Sequence, residues 1–129
     1  MLSLPSSVRI FASIEPTDMR KSFDGLVGLV ETVIRQSPTS GHLFLFINRN
    51  RDRLKILYWD RDGLAIFYKR LEQGTFQMPQ PTGQSNSPQG TEAKQPTQSL
   101  EIRADELAML LGGIDLGSAR RRKRYSLTS

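Results

Sequence analysis

Cationic side chains occupy every second position near the middle of the chain and run into an apolar, aromatic segment. The cations are Arg49, Arg51, Arg53 and Lys55, and the aromatic residues that follow are Tyr58 and Trp59. Alternate residues of an extended strand point to the same side, so we predict that the four cations share one face. A row of such charges is typical of a surface that binds a phosphate backbone. The alternative is a solvated hairpin edge whose charges prevent unwanted strand pairing.

The same alternation assigns the two aromatic residues to opposite faces. Trp59 shares its parity with Arg53 and Lys55, and we predict that it lies on the surface beside them. Tyr58 has the other parity and is predicted to lie in the core. Both assignments hold only if no bulge interrupts the strand or its turn.

Additional cations extend this candidate surface. The predicted DNA-binding residues are Arg20, Lys21, Arg49, Arg51, Arg53, Lys55, Trp59, Arg61, Lys69, Arg70, Arg120, Arg121, Arg122, Lys123 and Arg124. Arg20 and Lys21 lie at the start of a predicted helix, where the helix dipole disfavours cations, so we expect an anion nearby. Candidates for that anion are Asp24, Asp62 and a DNA phosphate.

Residues 118–129 form a basic tail with five cations and no carboxylate, which accounts for the formal net charge of +5 of the whole chain. Basic arms of this kind coat nucleic acid without sequence preference. The alternative interpretation is a solubilising end. Any argument from total charge therefore depends on this tail.

The sequence contains no arrangement of residues that is specific to catalysis or to metal binding. It has no cysteine and one histidine, His42, which has no neighbouring triad partner or metal ligand. Asp60 and Asp62 resemble the start of a calcium loop, but no glutamate stands at the twelfth position. We therefore predict a protein that is not an enzyme and needs no cofactor or metal. A metal-dependent nuclease that uses Asp60 and Asp62 is the weaker alternative.

The 129 residues suit one domain with appendages. No apolar run reaches the ~18 residues that a membrane helix needs, and no basic segment precedes an apolar one at the N-terminus. We expect a cytoplasmic protein without a membrane partner. Residues 79–98 are rich in Pro, Gln and Ser and hold no aliphatic residue larger than Ala93, which predicts a flexible linker.

Hydrophobic periodicity predicts a small α+β domain in which an antiparallel sheet packs against one or two helices. The predicted elements are a strand at 8–11, a helix at 18–35, strands at 43–47 and 54–59, a helix at 64–73, a strand at 99–102 and a helix at 104–111. A strand over 64–68 competes with the helix at 64–73, because Ile, Phe and Tyr favour strands. Gly25 and Gly28 weaken the first helix, and we expect that a sheet approaches them closely. The predicted division is a core at 1–78, the linker, a strand–helix segment at 99–117 that returns to the core, and the tail.

Several motifs resemble a known family. They are the run Pro-Thr-Asp-Met-Arg-Lys-Ser-Phe-Asp-Gly-Leu at 16–26, Arg-Leu-Lys-Ile-Leu-Tyr-Trp-Asp at 53–60 and Tyr-Lys-Arg-Leu-Glu at 68–72. They resemble the TnpB accessory proteins that are encoded beside the transposase in insertion sequences of the type numbered sixty-six. The resemblance covers residues 2–79 and resumes at 99–125.

The resemblance implies a bacterial, nucleoid-associated accessory factor of DNA transposition. Its expected partners are DNA, either element ends or DNA of any sequence, and the transposase of the same element. The main alternative is a protein–protein adaptor that docks through Ile114-Asp115-Leu116 and the C-terminal helix. The resemblance supplies no catalytic residues.

Overall fold

A computed structural model describes residues 5, 7–79 and 98–112, together with the backbone of two short strands that follow. The strands are β1 Ile10–Ser13, β2 Leu43–Ile47, β3 Arg53–Asp60, β4 Gly63–Arg70, β5 Ser99–Ile102, β6 Ile114–Asp115 and β7 Arg120–Arg121. The helices are α1 Phe23–Leu29, which continues into a π-helical turn at Val30–Ile34, and α2 Ala104–Gly112.

The first five strands form one mixed sheet in the order β4-β3-β2-β1-β5. β1 and β2 are parallel. The helix α1 connects them and returns the chain to the end of the sheet where β1 began, as a parallel pair requires. The other neighbours in this sheet are antiparallel. Together with the two helices, this sheet confirms the predicted α+β class.

The sheet is covered on both faces. The face toward α1, here the α1 face, buries Phe44, Phe46 and Leu57 against Leu26 and Val30 of the helix. On the opposite face, here the α2 face, the buried residues of the sheet meet Leu107 and Leu110 of α2. β2 is therefore apolar at all five positions, as a central strand with two covered faces requires.

The helix predicted at 64–73 is wrong, and the competing strand is confirmed. Asp60 pairs with Gly63, so only two residues connect β3 to β4. Through this tight hairpin, pairing with β3 satisfies half of the backbone groups of β4. The side chains then alternate, with Ile66 on the α1 face and Phe67 on the α2 face. The helical spacing of the apolar residues was coincidental, because good strand formers fill both faces.

The first helix begins at Phe23, five residues later than predicted. Residues 18–21 form a turn instead, in which the Lys21 amide donates a 3.1 Å hydrogen bond to the Asp18 carbonyl. The expectation that the sheet approaches the two helix glycines is also wrong. A Cβ at Gly25 would meet the side chain of Lys21, whereas one at Gly28 would have nothing within 4 Å.

Candidate nucleic-acid interface

The side chain of Asn48 builds the turn between β2 and β3. Its Oδ1 accepts hydrogen bonds of 3.0 Å from the amides of Asp52 and Arg53, and its Nδ2 donates a 2.8 Å bond to Asp52 Oδ1. Arg51 adopts a left-handed conformation with φ of 60°. The Arg51 carbonyl then accepts a 2.7 Å hydrogen bond from the Phe76 amide, so the turn is anchored to the chain that follows β4.

This turn shortens the row of alternating cations that the sequence predicts on one face of a strand. β3 begins at Arg53, so Arg49 and Arg51 belong to the turn and do not continue the strand. Both are exposed. Only Arg53, Lys55 and Trp59 share the α1 face by strand parity.

Lys55 is buried, with 7% of its surface exposed. Its Nζ donates hydrogen bonds of 3.0 Å to the Met19 carbonyl and 2.7 Å to the Lys21 carbonyl. The ammonium also lies 4.7 Å from the ring centroid of Tyr68, a cation–π contact. Lys55 therefore holds the 19–21 turn against the sheet and does not present its charge to solvent.

The partner of Arg20 is Asp18, two residues before it in the chain. The Arg20 guanidinium donates to Asp18 Oδ2 at 2.7 Å, and the Arg20 amide donates to Oδ1 at 2.9 Å. The side-chain bond first, and then the backbone bond, lower the pKa of Asp18 to about 2. Among the described residues neither Asp24 nor Asp62 pairs with Arg20 or Lys21. The two carboxylates expected from the sequence are therefore wrong, and the carboxylate that pairs with Arg20 is Asp18.

Lys21 is exposed, and its side chain is held along the first turn of α1. An added Cβ at Gly25 would lie 3.0 Å from Lys21 Cβ and 3.1 Å from Cγ. A glycine at 25 therefore provides the room in which the aliphatic stem of Lys21 crosses the helix. The stem therefore lies against the helix at Gly25, and Lys21 as a whole is exposed.

Two arginines and an exposed aromatic ring meet at one corner of the α1 face, and Lys55 holds the backbone of exposed Lys21 to the same face. This basic corner consists of Lys21, Arg53, Arg70 and Tyr68. Arg53 stands directly opposite Arg70 across the β3–β4 ladder. Arg53 Nη1 donates to the Tyr68 hydroxyl at 3.4 Å, and Tyr68 is 48% exposed.

The cations of the basic corner differ in how they are neutralised. Arg70 forms a 2.7 Å ion pair with Glu72, which raises the pKa of its guanidinium. Within residues 7–79 and 98–112, Lys21 and Arg53 have no carboxylate within 4.0 Å. The corner therefore carries net positive charge at the surface.

An open cavity of about 380 Å³ lies beside Arg53, between the β2–β3 turn and the residues that follow β1. Its lining consists of Thr17, Asp18, Met19, Asn48, Arg49, Asn50, Asp52 and Arg53. Asp18 is already paired with Arg20, and Asp52 is held by Asn48. The cavity therefore extends the polar surface next to the corner.

The structure separates other predicted site residues from this corner. Arg61 lies in the β3–β4 loop at the far end of β3, eight residues and roughly 26 Å along the strand from Arg53. Trp59 is half-buried near that far end, opposite Leu64. Lys69 has the parity of the α2 face, where its Nζ donates a 3.0 Å hydrogen bond to the Leu111 carbonyl near the end of α2.

The predictions for the C-terminal residues fall largely outside the described part of the chain. Arg120 and Arg121 pair through their backbone with Asp115 and Ile114, and Leu116 and residues 122–124 are not among the described residues. The described part of the linker is limited to Pro79 and Gln98. α2 packs its buried leucines on the sheet, so that apolar face is already occupied.

Tyr68 and Asn48 contribute to this surface and its turn, and the predicted set omits both. The strand alternative for 64–68 contains a signal for Tyr68, because pairing β4 with β3 puts it directly opposite Lys55. Asn48 gave no such signal. Its role depends on the three-dimensional course of the turn.

The residues that the sequence offered for catalysis or metal binding either make structural contacts or lie exposed in a turn. His42 Nδ1 accepts a 3.0 Å hydrogen bond from the Arg9 amide, and its ring meets Phe11 edge-on at 5.9 Å. Asp60 and Asp62 are exposed at the β3–β4 hairpin. Among the described residues, no group of three or more His, Asp or Glu side chains is placed to hold a metal ion. Neither described helix is long and apolar enough to cross a membrane.

A model of the IS66 Orf2-like protein family matches residues 8–121. The chain belongs to this family. Two uncharacterized proteins of Sinorhizobium fredii (strain NBRC 101917 / NGR234) are similar along nearly their whole length. The chain is 29% identical to y4jC over 122 residues, which cover 95% of this chain and 92% of y4jC. It is 35% identical to y4hO over 115 residues, which cover 89% of this chain and 88% of y4hO.

No solved structure matches the chain. The family match confirms the resemblance that the motifs suggested, and it associates the chain with IS66 insertion sequences. Family membership supports an accessory role in transposition.

Proposed function

We propose that this IS66 Orf2-like protein is a non-enzymatic accessory factor that binds DNA during transposition. The basic corner contacts the phosphate backbone, and the basic tail adds contacts that do not depend on sequence. The transposase of the same element is a second proposed partner. The protein would accordingly act in the bacterial cytoplasm, on the nucleoid.

The observation that supports DNA binding best is the pairing of Arg53 with Arg70 on adjacent strands. Like charges directly opposite each other destabilise a sheet. Glu72 offsets the charge of Arg70, while the Arg53 guanidinium meets the Tyr68 hydroxyl and, among the described residues, no carboxylate. A phosphate bound between them would remove the repulsion.

The surroundings of the two arginines also suit a phosphate backbone. Lys55 ties the Lys21 carbonyl to the sheet, so the backbone of exposed Lys21 is held on the same face as Arg53. Tyr68 offers a half-exposed ring on which an unpaired base can stack. A guanidinium presents a planar fork of donors that matches two phosphate oxygens.

A DNA titration with two forms of the full-length chain tests this function. One is the natural sequence, and the other is a tail-neutral variant with glutamine at positions 120–124. We expect the tail-neutral variant to retain binding that weakens steeply as salt rises, because each displaced counterion contributes to the salt dependence. Loss of all binding in this variant would contradict a role for the basic corner.

The same titration compares DNA from the ends of the element with random DNA of equal length. Preference for element ends would assign the protein to the assembly of the transposition complex. Absence of any DNA binding by the natural chain, together with co-purification of the transposase, would favour the adaptor function instead. A nuclease would cleave these DNAs only with a divalent cation and lose that activity in Asp60→Ala.

A further inference from the structure

β4 is an outer strand of the sheet, and half of its backbone groups point away from the molecule. The Leu71 amide, one residue past the strand, donates a 2.8 Å hydrogen bond to the Asp52 carbonyl on the β3 side. Because hydrogen-bonding direction alternates along a strand, the odd-numbered residues of β4 bond to β3. The amides and carbonyls of Leu64, Ile66, Tyr68 and Arg70 therefore point outward.

These outward groups have no partner among the described residues. β4 has one strand neighbour, β3, and no other described backbone group bonds to it. Proteins usually protect such an edge with a short strand, a proline or charges. β4 is eight residues long, and the six residues from Gly63 to Tyr68 include neither a charge nor a proline.

We propose that β4 pairs antiparallel with β4 of a second copy of this chain across a twofold axis at Ile66. The outward amides and carbonyls of the two β4 strands can bond to each other only in registers that place even-numbered residues opposite even-numbered residues. The register centred on Ile66 pairs all residues from Gly63 to Lys69. It joins two five-stranded sheets into a single sheet of ten strands.

Charge complementarity selects this register over its neighbours. With Ile66 opposite its own copy, Arg70 of one chain lies beside the β3–β4 turn of the other, which carries Asp62, at both ends of the interface. Asp62 would add a second carboxylate to the Arg70 guanidinium, which already pairs with Glu72. Asp62 is exposed, and within the described residues it forms no ion pair. Leu64 stands opposite Tyr68, so the half-exposed phenol ring gains an apolar neighbour on the α1 face.

Cysteine cross-linking of the full chain tests the register directly, since the natural sequence contains no cysteine. In Ile66→Cys the two Cα atoms would be about 5.5 Å apart, within the range that a disulfide spans. In the control Tyr68→Cys they would be separated by four residues along the strands, roughly 14 Å, which is too far. We expect a disulfide-linked dimer from Ile66→Cys and none from Tyr68→Cys.

Sedimentation of the uncross-linked chain tests the association itself. We expect a dimer of twice the 14.6 kDa chain mass. Asp62→Arg should weaken the dimer at least tenfold, and adding Arg70→Asp should restore it. The control Phe23→Ala, an exposed apolar residue outside β4, should leave it unchanged.

Two results would overturn the proposal. One is a monomer at every concentration tested. The other is a dimer in which Tyr68→Cys cross-links as readily as Ile66→Cys. Neither result depends on DNA binding, so they would leave the proposed function unaffected.

Discussion

The ammonium of Lys55 lies 2.7 Å from the carbonyl oxygen of Lys21 and links β3 to the turn before α1. A second bond from the same ammonium holds the Met19 carbonyl. A cation that looks like a DNA contact in the sequence is therefore an internal support. It fixes the position of Lys21, whose own side chain remains exposed.

Replacement of Lys55 by methionine should destabilise the fold. The change keeps much of the aliphatic volume but removes the donors for the Met19 and Lys21 carbonyls. We expect a loss of about 1–3 kcal/mol in the free energy of unfolding, measured by urea denaturation. Lys21→Met is the matched control, because it keeps the carbonyl that Lys55 binds. Equal destabilisation by both variants would contradict the assigned role of Lys55.

Alanine at the two glycines of α1 should have different effects on stability. Gly28→Ala meets open space and should stabilise the protein by about 0.5–1 kcal/mol, as alanine does in a helix. Gly25→Ala places a Cβ 3.0 Å from Lys21 Cβ, which offsets that gain. Thermal unfolding of both variants measures the difference. If Gly25→Ala stabilised as much as Gly28→Ala, the Lys21 stem would not be held where we describe it.

Replacement of Asn48 by alanine should loosen the β2–β3 turn. The two backbone amides that Asn48 Oδ1 satisfies would lose their acceptor. The expected cost is about 1–3 kcal/mol, with faster amide hydrogen exchange at Asp52 and Arg53. Asn50→Ala, at an exposed position in the same turn, should cost much less. Similar losses for the two variants would refute the central role of Asn48.

The ion pair between Arg9, the residue before β1, and Glu101 of β5 should make the free energy of unfolding depend on pH in the acidic range. The hydrogen bond from Arg9 lowers the pKa of Glu101 below its ordinary value of 4.5. The stabilisation is therefore present above the ordinary pKa and disappears as the pH falls through the lowered one. Both side chains are about half exposed, at 52% and 45%, so the effect should be small.

Urea midpoints measured between neutral and strongly acidic pH test the contribution of this pair. Glu101→Gln should lower the midpoint near neutral pH and match the natural chain at the acidic end. Glu31→Gln, at an exposed site with no ion pair among the described residues, should follow the natural chain throughout. An equal deficit for Glu101→Gln at every pH would show that the pair contributes through packing alone.

The elements with the strongest local signals could be predicted from the sequence. The uniformly apolar β2 and the β3 run differ from the predicted bounds by at most one residue at each end. β4 was predicted as a helix, because its apolar residues fit a helical spacing as well. Tertiary pairing with β3 decided between the two.

The candidate site was predictable only in part. The sequence shows that Arg53 and Lys55 share a parity, but it does not show that backbone carbonyls bury the second of them. Nor does local spacing reveal that Arg51 takes a left-handed conformation, which ends the alternation. These features depend on contacts between segments far apart in the chain.

The most direct test of the proposed function is a comparison of DNA affinities. Each protein compared is the tail-neutral variant with one further arginine replaced by glutamine. Arg53→Gln removes a cation from the basic corner, and Arg61→Gln removes an equal charge at the other end of β3. Fluorescence anisotropy would measure the affinity of each variant over a range of salt concentrations. We predict that Arg53→Gln lowers the affinity and reduces the salt slope by about one, while Arg61→Gln changes neither appreciably. Equal effects of the two variants, or a larger effect of Arg61→Gln, would contradict DNA binding at the basic corner.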